Sequence, residues 1–80
     1  MKLSIYSLKK VLYAGEAESV NCKISSGEIT VLDHHRPLLG ILKEGIISII
    51  DTQKKEHYFK AKSGFLEVKE TNEARMLVEE

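Results

Sequence analysis

The chain has 80 residues, with Lys and Arg together equal to Asp and Glu at 12 each, so its formal charge is zero. A domain this small buries only roughly 60% of the surface its unfolded chain exposes. That leaves no room for an enclosed substrate pocket with separate walls, and a neutral surface has no long-range hold on nucleic acid or an anionic membrane. The single cysteine, Cys22, excludes an intramolecular disulfide and a four-cysteine zinc site.

Apolar residues at 42% and charged residues at 30% fit one folded globular domain, taken as residues 1–80. The opening Met1-Lys2-Leu3-Ser4-Ile5-Tyr6-Ser7 has no long apolar core of a secretory signal. No apolar run approaches the ~20 residues of a membrane span. The expectation is a cytoplasmic protein, with any membrane association made through other subunits.

The elements read as β throughout. Leu3 and Ile5 alternate with Lys2, Ser4 and Tyr6, and Lys9-Lys10 mark a turn. Val11-Leu12-Tyr13 begins a second strand that Gly15 bends. Val20, Cys22 and Ile24 alternate with polar neighbours as a third, half-buried strand, closed by Ser25-Ser26-Gly27. Ile29, Val31 and Leu32 lead into a polar loop, Asp33-His34-His35-Arg36, that Pro37 ends. Leu38, Leu39, Ile41 and Leu42 form the next strand, and Lys43-Glu44-Gly45 turns the chain. Ile46, Ile47, Ile49 and Ile50 are near-continuous and predict a strand covered on both faces.

Asp51 to Lys55 is a polar hairpin tip. Tyr58, Phe59 and Ala61 return from it, Ser63-Gly64 bends the chain, and Phe65, Leu66 and Val68 continue. Ala74, Met76 and Val78 alternate as a last strand, although Glu, Ala, Arg, Met and Leu over 73–78 also fit a short helix. The sum is an all-β fold, a two-sheet β-sandwich of about nine to ten short strands with turns every ~8–12 residues.

Few residues suggest chemistry. His34 and His35 point apart on a regular strand, so with Asp33 they hold a metal only in an irregular loop, and three such residues are a weak signal. The alternative is one packed histidine and one solvated. Cys22, between Val20 and Ile24, reads as a buried inert thiol. Glu16 and Glu18 share a face with nothing apolar beside them to raise a pKa. No phosphate loop or dinucleotide glycine pattern occurs. No catalytic residue, cofactor site or metal site is therefore assigned. The isoleucine strand leaves open both a core role and an exposed patch of the kind that marks a partner surface.

The stretch Gly27-Glu28-Ile29-Thr30-Val31-Leu32-Asp33-His34-His35-Arg36-Pro37-Leu38 resembles the G-E-x-G-x-L-P-G-H-x-P-L signature of the ATP synthase epsilon subunit, N-terminal β-sandwich domain. Tyr13-x-Gly15 with Val20, Leu42-Lys43-x-Gly45 and Ser63-Gly64-Phe65-Leu66-Glu67-Val68 resemble three further motifs of that family, in order, along most of the chain. Thr30 replaces a glycine, Asp33-His34 replaces Pro-Gly, Leu8 stands where proline is frequent, and Ser63 replaces the first glycine of a pair.

The resemblance implies a non-catalytic rotor-stalk subunit on the cytoplasmic face of the membrane, packed on the gamma subunit and resting on the loops of the c-ring. It implies c-ring contacts at Ser26, Gly27, Glu28, His34, His35 and Arg36, and a gamma-facing surface at Leu39, Ile41 and Leu42. Glu28 with Arg36 suits polar loops. The family's C-terminal helical hairpin has no counterpart before Glu80, so the inhibition and ATP binding attached to it do not carry over. The alternative is a free-standing β-sandwich binding module with another partner. Self-association of the isolated domain is a further expectation, because zero net charge repels weakly.

Overall fold

The computed structural model describes residues 1–80 and contains eight strands and no helix. They are β1 (Lys2–Tyr6), β2 (Val11–Ile24), β3 (Gly27–Leu32), β4 (Leu38–Leu42), β5 (Gly45–Asp51), β6 (Glu56–Ala61), β7 (Ser63–Lys69) and β8 (Glu73–Glu79). Residues 73–78 are strand. Ala74, Met76 and Val78 alternate inward, and pairing with β7 and β1 overrides their local helix preference.

The predicted second and third strands are one, β2, and Gly15 does not interrupt it. Its register slips at Glu18, because Ala17 faces Asp51 while Ser19 faces Ile50. This bulge changes which side chains point inward. Ala17 is buried before it, and Val20, Cys22 and Ile24 after it. One extra residue in a period-two strand swaps its faces, so β2 can serve two layers. Its first half pairs with β1, and its second half lies between β3 and β5.

The layers are therefore β3-β2-β5-β6 and β1-β8-β7-β4, and β2 joins them into one hydrogen-bonded sheet. Ile24 also pairs with Leu42, which closes the second layer onto the end of β2. The expected sandwich is present, with eight strands and a shared strand rather than two separate sheets.

Between the layers lie 17 buried residues, all apolar, with no buried polar or charged side chain. Leu3, Ile5, Val20, Ile49 and Leu66 are fully enclosed. The isoleucine run is covered on one face only. Ile47 and Ile49 enter the core, whereas Ile46 and Ile50 are exposed, because no layer covers the outside of β5.

Candidate partner-binding surfaces

The outer face of the β1-β8-β7-β4 layer is built by register. Ile41 lies opposite Phe65, Phe65 opposite Leu77, and Leu77 beside Tyr6. Directly opposed residues share a face, so these four form one apolar row across four strands. Leu39 adds to it from the next row. These five are 38 to 79% exposed and line a shallow groove of about 650 Å³. At roughly 180 Å² per exposed large side chain, they present about 500 Å² of apolar surface. The largest apolar patch on a monomer is commonly of this size and is often functional.

Of the expected gamma-facing residues, Leu39 and Ile41 lie on this face. Leu42 is 2% exposed and packs in the core, because it is one residue out of phase with Ile41. Tyr6, Phe65 and Leu77 were not foreseen. Each is the apolar residue at an outward position of an alternating strand, a signal that means little until the strands are placed side by side.

The two groups expected together at the c-ring end are apart. Ser26, Gly27 and Glu28 stand at the start of β3, and Asp33 to Arg36 follow its end. Six strand residues separate the two by about 17 Å, in a molecule of 26 × 23 × 19 Å. Glu28 and Arg36 therefore stand near opposite ends of β3.

The Gly27 end is open. Gly27 has φ of 129° and no atom near its would-be Cβ. Lys23 lies opposite Glu28, and the Lys43-Glu44 turn is tied alongside by the Lys43 N–H bond to the Lys23 carbonyl. The result is a charged, solvent-facing tip.

The histidine loop is tied inward. Asp33 accepts a hydrogen bond from the Met1 ammonium, which also donates to the Ala17 carbonyl at 2.9 Å. That bond, with a weaker contribution from Asn72, holds the Asp33 carboxyl below its ordinary pKa. His34 has φ of 61°, and its N–H donates to Asn72 Oδ1 at 2.7 Å. It stands where the resembling motif has glycine and takes a conformation that favours glycine. His35 turns its Nδ1 to the Arg36 carbonyl at 2.7 Å.

At the β5–β6 tip, His57 Nε2 donates to Asp51 Oδ2 at 2.9 Å, and Asp51 Oδ1 accepts the Gln53 and Lys55 N–H groups. These bonds, led by that from His57, lower the Asp51 pKa. Tyr13 stacks edge-on against His57 with ring centroids 5.3 Å apart, and burial, with Asp51 and Glu16 nearby, raises its own pKa. Lys54 pairs with Glu18, the bulged residue of β2, at 2.7 Å. These groups fasten a hairpin. Burial pushes the Cys22 thiol up to about 11, where a nucleophilic thiolate does not form at neutral pH. No three His, Cys, Asp or Glu side chains converge as metal ligands.

The whole chain, residues 1–80, matches the family described as the ATP synthase delta/epsilon chain, β-sandwich domain. The chain belongs to this family. It is 34% identical over 79 residues to the ATP synthase epsilon chain of Chlorobium limicola, and 36% over 78 residues to that of Chlorobaculum tepidum. It covers 89% and 88% of those two relatives. It covers only 38% of ATP synthase epsilon chain 2 of Burkholderia orbicola, which it matches at 40% identity over 57 residues.

The fold is also that of chains in two solved assemblies. One is the Euglena gracilis mitochondrial ATP synthase, OSCP/F1/c-ring, with a TM-score of 0.93 and 20% identity, covering all of this chain and 51% of that one. The other is the Tetrahymena thermophila mitochondrial ATP synthase central stalk and c-ring, with a TM-score of 0.86 and 16% identity, covering all of this chain and 63% of that one. The chain is thus an epsilon-type β-sandwich domain of the ATP synthase delta/epsilon family. No helix is long and apolar enough to cross a membrane.

Proposed function

We propose that this chain is a non-catalytic rotor subunit of a rotary ATP synthase that links the gamma subunit to the c-ring and couples ion flow to ATP synthesis. It works as a peripheral part of the complex on the cytoplasmic face. The observation that carries this reading is the apolar row Ile41–Phe65–Leu77–Tyr6 on the outer face of one layer, in a domain of the epsilon family. Permanent docking on gamma calls for an apolar, closely packed surface, and this row with Leu39 supplies it.

The c-ring contact falls to Ser26, Gly27 and Glu28. Their tip is open and charged, and polar loops are read by charge, which sets register more than affinity. His34, His35 and Arg36, held to the body through Asp33, Met1 and Asn72, shape the opposite end. Torque transfer needs a stiff body, and two layers joined by a continuous β2 over an apolar core meet that need.

The test is a calorimetric titration against purified gamma subunit. Wild type binds, an Ile41→Ser/Phe65→Ser variant loses binding, and a Glu28→Ala/His35→Ala variant keeps it. In the assembled complex, a cysteine replacing Glu28 cross-links to the ring and one replacing Arg36 does not. A folded wild type that ignores gamma would favour a free-standing β-sandwich binding module instead.

A further inference from the structure

The same face is complementary to itself. We infer that, when not in a complex, two copies of this chain pair face to face about a two-fold axis running parallel to the strands between β7 and β8. This inference uses the exposed face alone and does not depend on gamma as its other partner.

The argument is one of register. The apolar row reads Ile41, Phe65, Leu77, Tyr6 across β4, β7, β8 and β1. A two-fold between β7 and β8 sets the Phe65 of one copy against the Leu77 of the other, and Ile41 against Tyr6. The next row reads Leu39, Glu67, Arg75, Ser4. The axis sets Glu67 against Arg75 of the second copy, and Arg75 against Glu67. One row further, Lys69 lies opposite Glu73, and the operation sets each against its opposite charge.

Every charged residue facing another across this axis therefore meets its complement. An isologous contact has this requirement, and both charged rows beside the apolar one satisfy it. Within one copy, Glu67 and Arg75 are 3.3 Å apart, and Lys69 and Glu73 are 3.9 Å apart, so pairing adds partners to charges already neutralised. Strands related by such an axis remain parallel, and their sheets can pack as aligned sandwich sheets do, about 10 Å apart. Zero net charge opposes the approach of two copies weakly.

Area sets the strength. Two faces of about 500 Å² of apolar surface each bury about 1,000 Å², at the low end for a specific interface. The dimer is therefore reversible, and it yields the face to a larger apolar partner.

Sedimentation velocity of the chain alone, from about 5 to about 300 µM, tests this. The wild type shows a sedimentation coefficient that rises with concentration toward the dimer value. Phe65→Glu stays monomeric. Glu67→Arg and Arg75→Glu each set like charges face to face and weaken pairing at least ~10-fold. An equimolar mixture of these two restores it, because every cross-pair is again opposite in sign. Circular dichroism matching the wild type shows each variant folded. A wild type that stays monomeric, a dimer that survives Phe65→Glu, or a mixture as weak as its components overturns the inference.

Discussion

Replacing Gly64 by Ala should remove a large share of the domain's stability. Gly64 lies at φ of 153°, opposite Val78 in the β7–β8 ladder. A Cβ there would stand 2.1 Å from the Leu77 carbonyl oxygen and 3.0 Å from the Val78 Cα. These are backbone atoms, so no rotamer change relieves the contact. A positive φ costs a non-glycine residue about 1–2 kcal/mol, and forcing apart a packed contact adds about 1–3 kcal/mol. Alanine returns ~0.4–1 kcal/mol by restricting the unfolded chain.

The net loss is about 3 kcal/mol, out of roughly 4–12 kcal/mol for a domain of 80 residues. With an unfolding entropy of about 170 cal/mol/K for this length, Tm falls by about 18 °C. Gly27→Ala is the control. Its φ is 129°, but nothing lies within 4 Å of the added carbon, so it carries only the dihedral cost less the same gain from the unfolded chain, about 0.6–1 kcal/mol, and loses about 3–6 °C. Thermal unfolding followed by circular dichroism reads both. If the two variants shift Tm by the same small amount, the overlap with the Leu77 carbonyl is not what requires glycine at position 64.

His34→Gly should leave stability within about 1 kcal/mol of wild type, because relief of the left-handed backbone offsets the entropy gained by the unfolded chain; urea unfolding checks this. Asp33 and Asp51 have lowered pKa values, so their stabilisation is present above the unfolded value of 3.8 and lost as pH falls through the folded values. Asp51→Asn should accordingly flatten the acid limb of a Tm–pH profile and speed amide exchange at Gln53 and Lys55, and an unchanged limb would count against the His57 bond. Cys22, raised from 9.0 to about 11, favours the folded state below pH 9 and stops doing so as pH rises toward 11. Native protein at pH 8 should resist a thiol reagent that labels the unfolded chain at once. Zinc added to the purified chain should leave Tm unmoved, since Asp33 is engaged by Met1 and Asn72, and the two histidines do not converge on it.

Much of the fold was legible because strand signals are local. Leu3 and Ile5, Val20, Cys22 and Ile24, and Ala74, Met76 and Val78 recur at every second position, and all eight are buried. The motif around Gly27 to Leu39 pointed to the family before any coordinate did. The continuity of β2 was not legible, because Gly15 reads as a bend between two strands and the bulge at Glu18 shifts the phase of the alternation. Nor was the helix-like composition of 73–78 a guide, since the ladders to β1 and β7 outweigh a preference of a few tenths of a kcal/mol per residue.

The candidate site was legible only in fragments. Leu39 and Ile41 were singled out, but Tyr6, Phe65 and Leu77 come from three other strands and meet them only through pairing. Ser26 to Glu28 and His34 to Arg36 were grouped as one site because the family motif runs through both. An extended strand carries neighbours in sequence far apart in space, so β3 puts them at opposite ends. The amino-acid sequence by itself determined the strands, their inward side chains and the family, because period-two alternation and turn residues act over a few positions. Tertiary structure alone decided which outward residues share a face and which loops share an end, because those depend on strand order and register between segments distant along the chain.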